Sequence, residues 1–299
     1  MKTFINKTRM FLHRQLVKYG SFIPDKAYLS LQYWLYMGTR INWKSPETFT
    51  EKIQWLKINN RDTILHKLVD KYDVKEYVAS IIGEEYIIPS YGVLNNSNDI
   101  DFDSLPDRFI LKCTHSSHAS VICKDKGTLN IKEAIKLLNI NLKTSPYKKY
   151  REWAYKDVAP RIIAEKFMEN KGEEDLTDYK FYCFNGNAHY CQVIKDRSGK
   201  ESIDFFDRKW KLQEFIGLNP KASHSTKKIK KPIEYEKMLE IADKLSAGFP
   251  FARIDLYDIN NRIYFGEITF YPGAGLGNFN PEFWNKELGN RMIIKQLQK

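Results

Sequence analysis

Cysteine is scarce in this chain: four residues among 299, with no CxxC pair and no histidine at metal-ligand spacing. A zinc ribbon or finger is thereby excluded, and Cys113, Cys123, Cys183 and Cys191, each inside an apolar or strand-like run, are expected as small core residues of a reducing compartment. No apolar run is long enough to cross a bilayer, and the first residues lack the apolar core and small-residue cleavage site of a secretory signal, so the chain is expected in the cytoplasm. The pattern GxxxxGK[ST] is absent, which excludes a Walker A phosphate loop, and no convincing DxD motif marks a nucleotide-sugar site. Internal repeats and low-complexity tracts are absent too.

Acids are missing from the first 24 residues, where Lys2, Lys7, Arg9, Arg14 and Lys18 accompany an apolar stripe of Ile5, Leu12, Leu16 and Tyr19. The pattern predicts a basic amphipathic helix over residues 1 to 20, either packed on the body or in contact with an anionic membrane surface. The whole chain carries a net charge of +11, which favours an anionic partner. The basic run Lys227 to Lys231 lacks interleaved aromatics and any DNA-reading motif, so nucleic acid is not expected. With 42% hydrophobic and 14% aromatic residues the chain has ample core material, and its length predicts at least two lobes with a cleft between them.

The densest cluster of chemical groups is FARIDLYDINNRIYFGEITFYPGAGLG, residues 251 to 277. Alternation in Arg253, Ile254, Asp255, Leu256 and Tyr257, a turn at Asn260-Asn261 and a second run through Ile263, Phe265 and Ile268 predict a hairpin. Pairing around that turn brings Asp255 and Glu267 close together on adjacent strands, with Thr269 pointing the same way as Glu267. Two facing carboxylates repel unless a cation neutralises them, and hard oxygen ligands suit magnesium carrying substrate phosphates. The glycine-rich turn Pro272, Gly273, Ala274, Gly275 follows directly, with backbone N–H groups suited to an anion.

The order Arg253-x-Asp255, Glu267-x-Thr269, Pro272-Gly273 resembles the metal-binding end of ATP-grasp ligases, most closely the TupA-like ATP-grasp family of surface-polysaccharide biosynthesis. SPETFTEKIQWL, DKYDVKEYV, FILKCTHSS, REWAYKD, RIIAEKFME and DYKFYCFNG extend the resemblance from about Pro46 to about Gly289; Thr269 departs from the superfamily's usual Asn. The resemblance implies an α+β ATP-grasp fold whose two lobes clamp ATP. A helical N-terminal region (1–68) would precede a core (69–299), itself divided into a nucleotide-covering lobe (about 105–165) and a metal-binding lobe (about 166–299). It implies an ATP- and magnesium-dependent ligase that makes an amide through an acyl phosphate, joining an amine or amino acid to an acidic sugar. The same polysaccharide setting also admits a glycosyltransferase, or a non-catalytic glycan-binding or membrane-associated protein.

Site residues follow from both readings. Lys112 interrupts the apolar strand Phe109 to Cys113 and needs an anion to offset its desolvation, which makes it a phosphate candidate; Lys180 interrupts Asp178 to Phe184 in the same way. The family adds Lys71 on the phosphates, unless it is an ordinary surface lysine, and the loop containing Ser116 and Ser117 over the triphosphate. In the family the adenine lies against the stretch Glu165, Lys166, Phe167, Met168. Asp255, Glu267 and Thr269 are the metal candidates, and Arg253 the group that stabilises the transferring phosphoryl. Substrate contact is expected from His118, from Arg151 in a segment that is either a lid or a linker, and from the Pro272 to Gly275 turn.

Overall fold

The computed structural model describes residues 2–116, 120–170, 176–195, 201–218 and 223–294. The chain opens with helices α1 (Lys2–Tyr19), α2 (Asp25–Met37), α3 (Phe49–Asn59), α4 (Ile64–Val69) and α5 (Asp73–Ile82). Helix α2 stops at Gly38, whose φ of 85° gives a left-handed cap, its N–H donating to the Trp34 carbonyl. Ser45-Pro46-Glu47 reads in the sequence as the start of α3, but the structure caps it later. Thr48 Oγ1 accepts from the Glu51 N–H while Glu51 accepts from the Thr48 N–H, a reciprocal box that satisfies two orphan donors where the Ser-Pro-Glu start offers no such pair.

Next comes a four-stranded antiparallel sheet, β1 (Ser90–Leu94), β2 (Phe109–Cys113), β3 (Val121–Cys123) and β4 (Ile162–Lys166), in the order β1-β4-β2-β3. Sequence patterning places the first strand at Tyr86 to Ile88, ended by Pro89. Instead Glu84–Tyr86 is a 3-10 turn and the strand begins after the proline, at a sheet edge, where the missing N–H costs nothing and the Pro89 carbonyl still accepts from Lys166 N–H. Helix α6 (Ile131–Leu142) lays Ala134 and Leu138 against Phe109, Leu111 and Cys113 of this sheet, and the short α7 (Pro146–Tyr150) follows.

The larger sheet has six strands, β5 (Asp178–Phe184), β6 (Asn187–Lys195), β7 (Ser202–Asp207), β8 (Leu212–Gln213), β10 (Phe251–Asp258) and β11 (Ile263–Thr269), ordered β11-β10-β5-β6-β7-β8. A ribbon of β9 (Ile216–Gly217) and β12 (Phe279–Asn280) sits beside it. Period-two alternation divides the faces: Phe181, Cys183, Cys191, Ile254 and Leu256 pack under helix α8 (Tyr235–Ser246), while polar residues of β5, β6, β10 and β11 face the cleft. All four cysteines are buried and unpaired, as expected.

Helices α3 to α5 share one core with the six-stranded sheet; the Phe49 ring meets Phe251 at 5.0 Å and Phe279 at 5.8 Å. Helix α9 (Trp284–Arg291) closes over α3, with Lys52 Nζ donating to the Gly289 and Met292 carbonyls at 2.8 and 2.9 Å. A Cβ at Gly289 would lie 2.1 Å from the Glu47 carbonyl oxygen and 2.8 Å from the Phe49 nitrogen. Helix propensity alone favours alanine here by about 1 kcal/mol, but neither backbone atom can yield cheaply. We therefore expect Gly289→Ala to lower stability by roughly 1–3 kcal/mol, the cost of overpacking, read as a lower denaturant midpoint; an unchanged or higher midpoint would show that α9 moves off α3 freely.

Candidate active site

Strand register assembles the centre of the site. Asp255 pairs directly with Glu267 on one side and with Lys180 on the other, and Lys180 pairs with Gln192, so one row across four strands reads Glu267, Asp255, Lys180, Gln192. The next row sets Arg253 opposite Thr269. The turn carries Asn260 and Asn261 at φ of 53° and 59°, the left-handed pair that matches the twist of a tight hairpin, and a bulge that skips Gly266 then shifts the ladder by one residue so that Glu267 meets Asp255.

Protein cations neutralise the facing carboxylates. Arg253 donates to both Asp255 oxygens at 2.7 and 2.8 Å, to Glu267 Oε1 at 2.8 Å and to Thr269 Oγ1 at 3.0 Å. Lys180 donates to Asp255 Oδ2 and lies 3.4 Å from Asp178, and Lys71 stands 3.8 Å from Glu267 Oε2. Burial works against the Arg253 charge, yet Asp255 and Glu267 push its pKa up. Burial also acts to raise Glu267, but Lys71, Arg253 and Lys180 together hold it well below the ordinary carboxylate range. Asp255, deeper in the sheet, is moved upward by burial, with Arg253 and Lys180 opposing the shift.

The opposite wall comes from the four-stranded sheet and from the turn between α4 and α5. Asp70 Oδ1 accepts from the Tyr72 and Asp73 N–H groups at the start of α5 and pairs with Arg161 at 3.0 Å, which fixes the backbone of its neighbour Lys71. Lys71 N–H donates to the Thr114 carbonyl and its ammonium to the Ser116 carbonyl at 2.6 Å, so burial lowers its pKa while Glu267 opposes the shift. Lys112 reaches the cleft from β2, its ammonium 2.5 Å from Glu165 Oε2; Lys75 holds the other Glu165 oxygen at 2.7 Å. The hydroxyls of Thr114 and Ser116 are buried without a hydrogen-bond partner among the described residues, acceptors and donors in reserve beside these cations.

A cleft of about 740 Å³ joins the two walls. Lys71, Lys112, Lys180, Arg253, Asp255, Glu267 and Thr269 line it, as do Pro272, Gly273 and Ala274. Other candidates fall elsewhere. Gly275 is buried against Ile53 and Gln54, its carbonyl accepting from Gln54 Nε2, and the Ala274 and Leu276 N–H groups bond within the turn, which leaves less of this backbone for an anion than the glycine pattern suggested. Glu165 lies behind the lysines as their counter-ion; Lys166, Phe167 and Met168 leave the end of β4 outside the lining, the Phe167 ring under Arg108. Ser117 and His118 lie outside the described residues.

Arg151 requires a correction. It is 3% exposed and does not line the cleft; its guanidinium stacks on Tyr28 at 4.0 Å and donates to the carbonyls of Gly20, Ser21 and Ile23. The left-handed turn at Arg151 that ends α7 sends this side chain into the helical region, where it clamps α1 to α2, and its neighbour Glu152 reaches the cleft instead. Sequence reasoning also missed Asp178 and Gln192. Asp178 was within reach, because it shares a strand face with Lys180 two residues on, whereas Gln192 needed the hairpin register. His13 and Tyr36, from α1 and α2, complete the far end.

The profile of the family described as TupA-like ATPgrasp matches residues 51–293. The chain belongs to the TupA-like ATP-grasp family. Its two sheets and N-terminal helices are accordingly an α+β ATP-grasp fold. No curated protein matches the sequence. Solved structures similar to it include D-alanine–D-alanine ligase from Bacillus anthracis complexed with ATP, at 16% identity over 69% of this chain and 55% of that one, TM-score 0.40. The ATP-grasp ligase PsnB with its minimal precursor, Mg and ADP matches at 10% identity over 74% and 57%, TM-score 0.38. N5-carboxyaminoimidazole synthase from Aspergillus clavatus, with ADP and its ribonucleotide, matches at 12% over 68% and 44%, TM-score 0.38. This TupA-like chain thus spans little more than half of the first two and less of the third.

Among the described residues no group of three or more His, Cys, Asp or Glu could hold a metal. Two facing carboxylates still fit magnesium, which takes one or two carboxylates and leaves its remaining positions to water and substrate phosphates. Glu267 Oε2 is the better placed oxygen, since among the described residues its one ion pair is with Lys71, at 3.8 Å.

Proposed function

We propose that the protein is an ATP-dependent carboxylate–amine ligase that works through an acyl phosphate. The observation that carries this reading is the opposition of two charged walls across one cleft: Asp255, Glu267 and Arg253 on the six-stranded sheet, Lys71 and Lys112 on the opposite wall. The lysines neutralise phosphate oxygens of ATP, and Arg253 stabilises charge on the phosphoryl group in transfer. Magnesium held by Asp255 and Glu267 would supply charge neutralisation and alignment of the phosphates. A carboxylate oxygen of the acid attacks the γ-phosphorus as ADP leaves; an amine then attacks the acyl carbon, and phosphate departs. No side-chain nucleophile enters the sequence of steps, so positioning supplies much of the rate.

The acid we assign is an acidic sugar such as a uronic acid, and the setting the biosynthesis of capsular or other surface polysaccharide in the cytoplasm. The family membership and the net charge of +11 support this choice. Release of ADP from ATP, screened over uronic acids combined with amino acids and followed by product mass, tests it. Coupled release with an amide product is the expected result, and nucleotide-sugar turnover without ATP would overturn it.

We also assign the outer face of α1 to an anionic membrane. Lys7, Phe11, Arg14 and Lys18 repeat at helical spacing on that face, with Phe11 59% exposed, and Phe22 follows at 84%. No described helix is long and apolar enough to cross a membrane. Each cation near such a surface contributes about 1 kcal/mol, so replacing Lys7, Arg14 and Lys18 together should release the protein from anionic vesicles at low salt. Equal sedimentation of wild type and variant would return α1 to a purely structural role.

A further inference from the structure

The cleft also holds an acid that the phosphoryl chemistry leaves unused. Glu152 is 8% exposed and lines the cleft, and its carboxylate has no hydrogen-bond or ion-pair partner among the described residues. Beside it the Tyr271 hydroxyl, 4% exposed and also in the lining, has the Ala154 backbone within reach but no side-chain partner among the described residues. The nearest cation is engaged elsewhere: Lys57 Nζ donates to Gln54 Oε1 at 3.0 Å, to the Tyr150 carbonyl at 2.9 Å and to the Ala274 carbonyl at 2.7 Å. Those last two bonds tie the segment carrying Glu152 to the Pro272–Gly275 turn, and Glu152 lines the same cleft as Arg253 and Glu267.

A nearly buried carboxylate with nothing bound to it is costly unless a ligand completes it. Burial raises its pKa against the pull of Lys57, and burial lowers that of Lys57 against the pull of Glu152. Tyr36, Tyr150 and Tyr155 line the cleft with Glu152, as do His13 and Lys149; aromatic rings are surroundings that favour a cation. An acceptor of protons with apolar flanks is matched to a primary ammonium group, not to a phosphate or a second carboxylate.

We propose that Glu152 and Tyr271 form the subsite for the incoming amine, a primary ammonium compound, an inference that rests on the ligase reading above. Glu152 binds the ammonium form and takes one proton onto a carboxylate oxygen. The nitrogen lone pair so released attacks the acyl carbon, the bond from that carbon to the phosphate oxygen breaks, and the remaining excess proton on nitrogen leaves with phosphate or solvent. A carboxylate made more basic by burial suits that transfer.

Saturation-transfer NMR on the full chain with glycinamide, and with glycolamide as its uncharged hydroxyl isostere, tests the subsite without requiring turnover. Glycinamide should bind and glycolamide should not. Glu152→Gln should weaken glycinamide by about tenfold or more, the scale of a lost hydrogen bond to a charged group, with ATP binding in the same sample unchanged. Tyr271→Phe, which keeps the ring and the acid, should weaken it by a smaller factor and serves if Glu152→Gln does not fold. Equal binding of the two amides, no binding of either, or glycinamide affinity unchanged in both variants would overturn the assignment. A second arm separates this from the ligase reading: hydroxylamine, added with ATP and a panel of uronic acids, captures an acyl phosphate as a hydroxamate. Hydroxamate with no amine selectivity sinks the subsite alone, and amine selectivity with no hydroxamate sinks the ligase reading alone.

Discussion

Glu267→Gln should abolish ATP-dependent turnover while leaving the protein folded, and Asp255→Asn should abolish it at a visible cost in stability. The two acids face each other across one strand pair but are held differently. Asp255 is the buried counter-ion of Arg253 and Lys180, with its side chain 3% exposed, so the amide strands two cations inside the sheet. Breaking a buried pair from one side costs about 3–5 kcal/mol. Glu267 is 26% exposed at the cleft surface, and Arg253 keeps its bonds to Asp255 when Glu267 is neutralised. Glu267→Gln is therefore the cleaner probe of a metal ligand, and a loss of roughly 10²-fold or more in turnover is the expected scale for removing such an electrostatic group. Turnover near wild type in Glu267→Gln, with magnesium dependence intact, would remove the metal site proposed here.

Acid titration gives an independent readout of the same residue. The folded pKa of Glu267 lies well below its ordinary 4.5, because Lys71, Arg253 and Lys180 outweigh the effect of burial. A depressed carboxylate contributes stability that is complete above the unfolded value and disappears as pH falls through the folded one. Wild type should thus lose stability on acidification below about pH 4.5 more steeply than Glu267→Gln, which has no such proton to take up.

Local signals made the site hairpin legible in the sequence, and long-range ones hid its surroundings. Alternation in Arg253 to Tyr257 and the Asn260-Asn261 turn were enough to put Asp255 and Glu267 on paired strands, but the register of the turn alone would set Asp255 opposite Gly266; a bulge that skips Gly266, which no local signal announced, sets Asp255 against Glu267. Lys112 and Lys180 announced themselves as charges inside apolar strands. Nothing local, however, puts Lys180 beside Asp255, 75 residues on, or tells that the cations the facing acids require come from the protein as well as from a metal. Arg151 shows the same limit from the other side. Charge in an aromatic segment suggested substrate contact, while its partners, the carbonyls of Gly20 to Ile23, lie about 130 residues back in the chain. The strand expected at Tyr86 to Ile88 failed for a smaller reason: an edge strand tolerates a proline before it as readily as after it.

Lys112→Met should lower turnover by roughly 10²- to 10³-fold, the scale of a lost electrostatic donor in the transition state, with little change in stability. The structure supplies the reason for the second half. Lys112 and Lys75 both hold Glu165, so the buried carboxylate, whose pKa burial would raise and the two lysines lower, retains Lys75 when Lys112 loses its charge. Methionine keeps much of the stem that packs in β2. The effect should then appear in ATP-dependent steps and not in the denaturant midpoint, whereas a lysine that served only as a counter-ion would give the reverse. The chemical path can be followed in the same enzyme with carboxyl-oxygen-18-labelled acid. If the acid attacks the γ-phosphorus, its labelled oxygen becomes the bridge to phosphorus, and attack by the amine at carbon leaves that oxygen in inorganic phosphate. Adenylation would instead carry the label into AMP. Label in phosphate, with ADP as the other product and a slower rate in Lys112→Met, fits a cleft in which Lys112 faces the phosphates from the four-stranded sheet; label in AMP, or a variant with unaltered ATP dependence, would move Lys112 out of the chemistry and leave it as one of two lysines holding Glu165 in the wall.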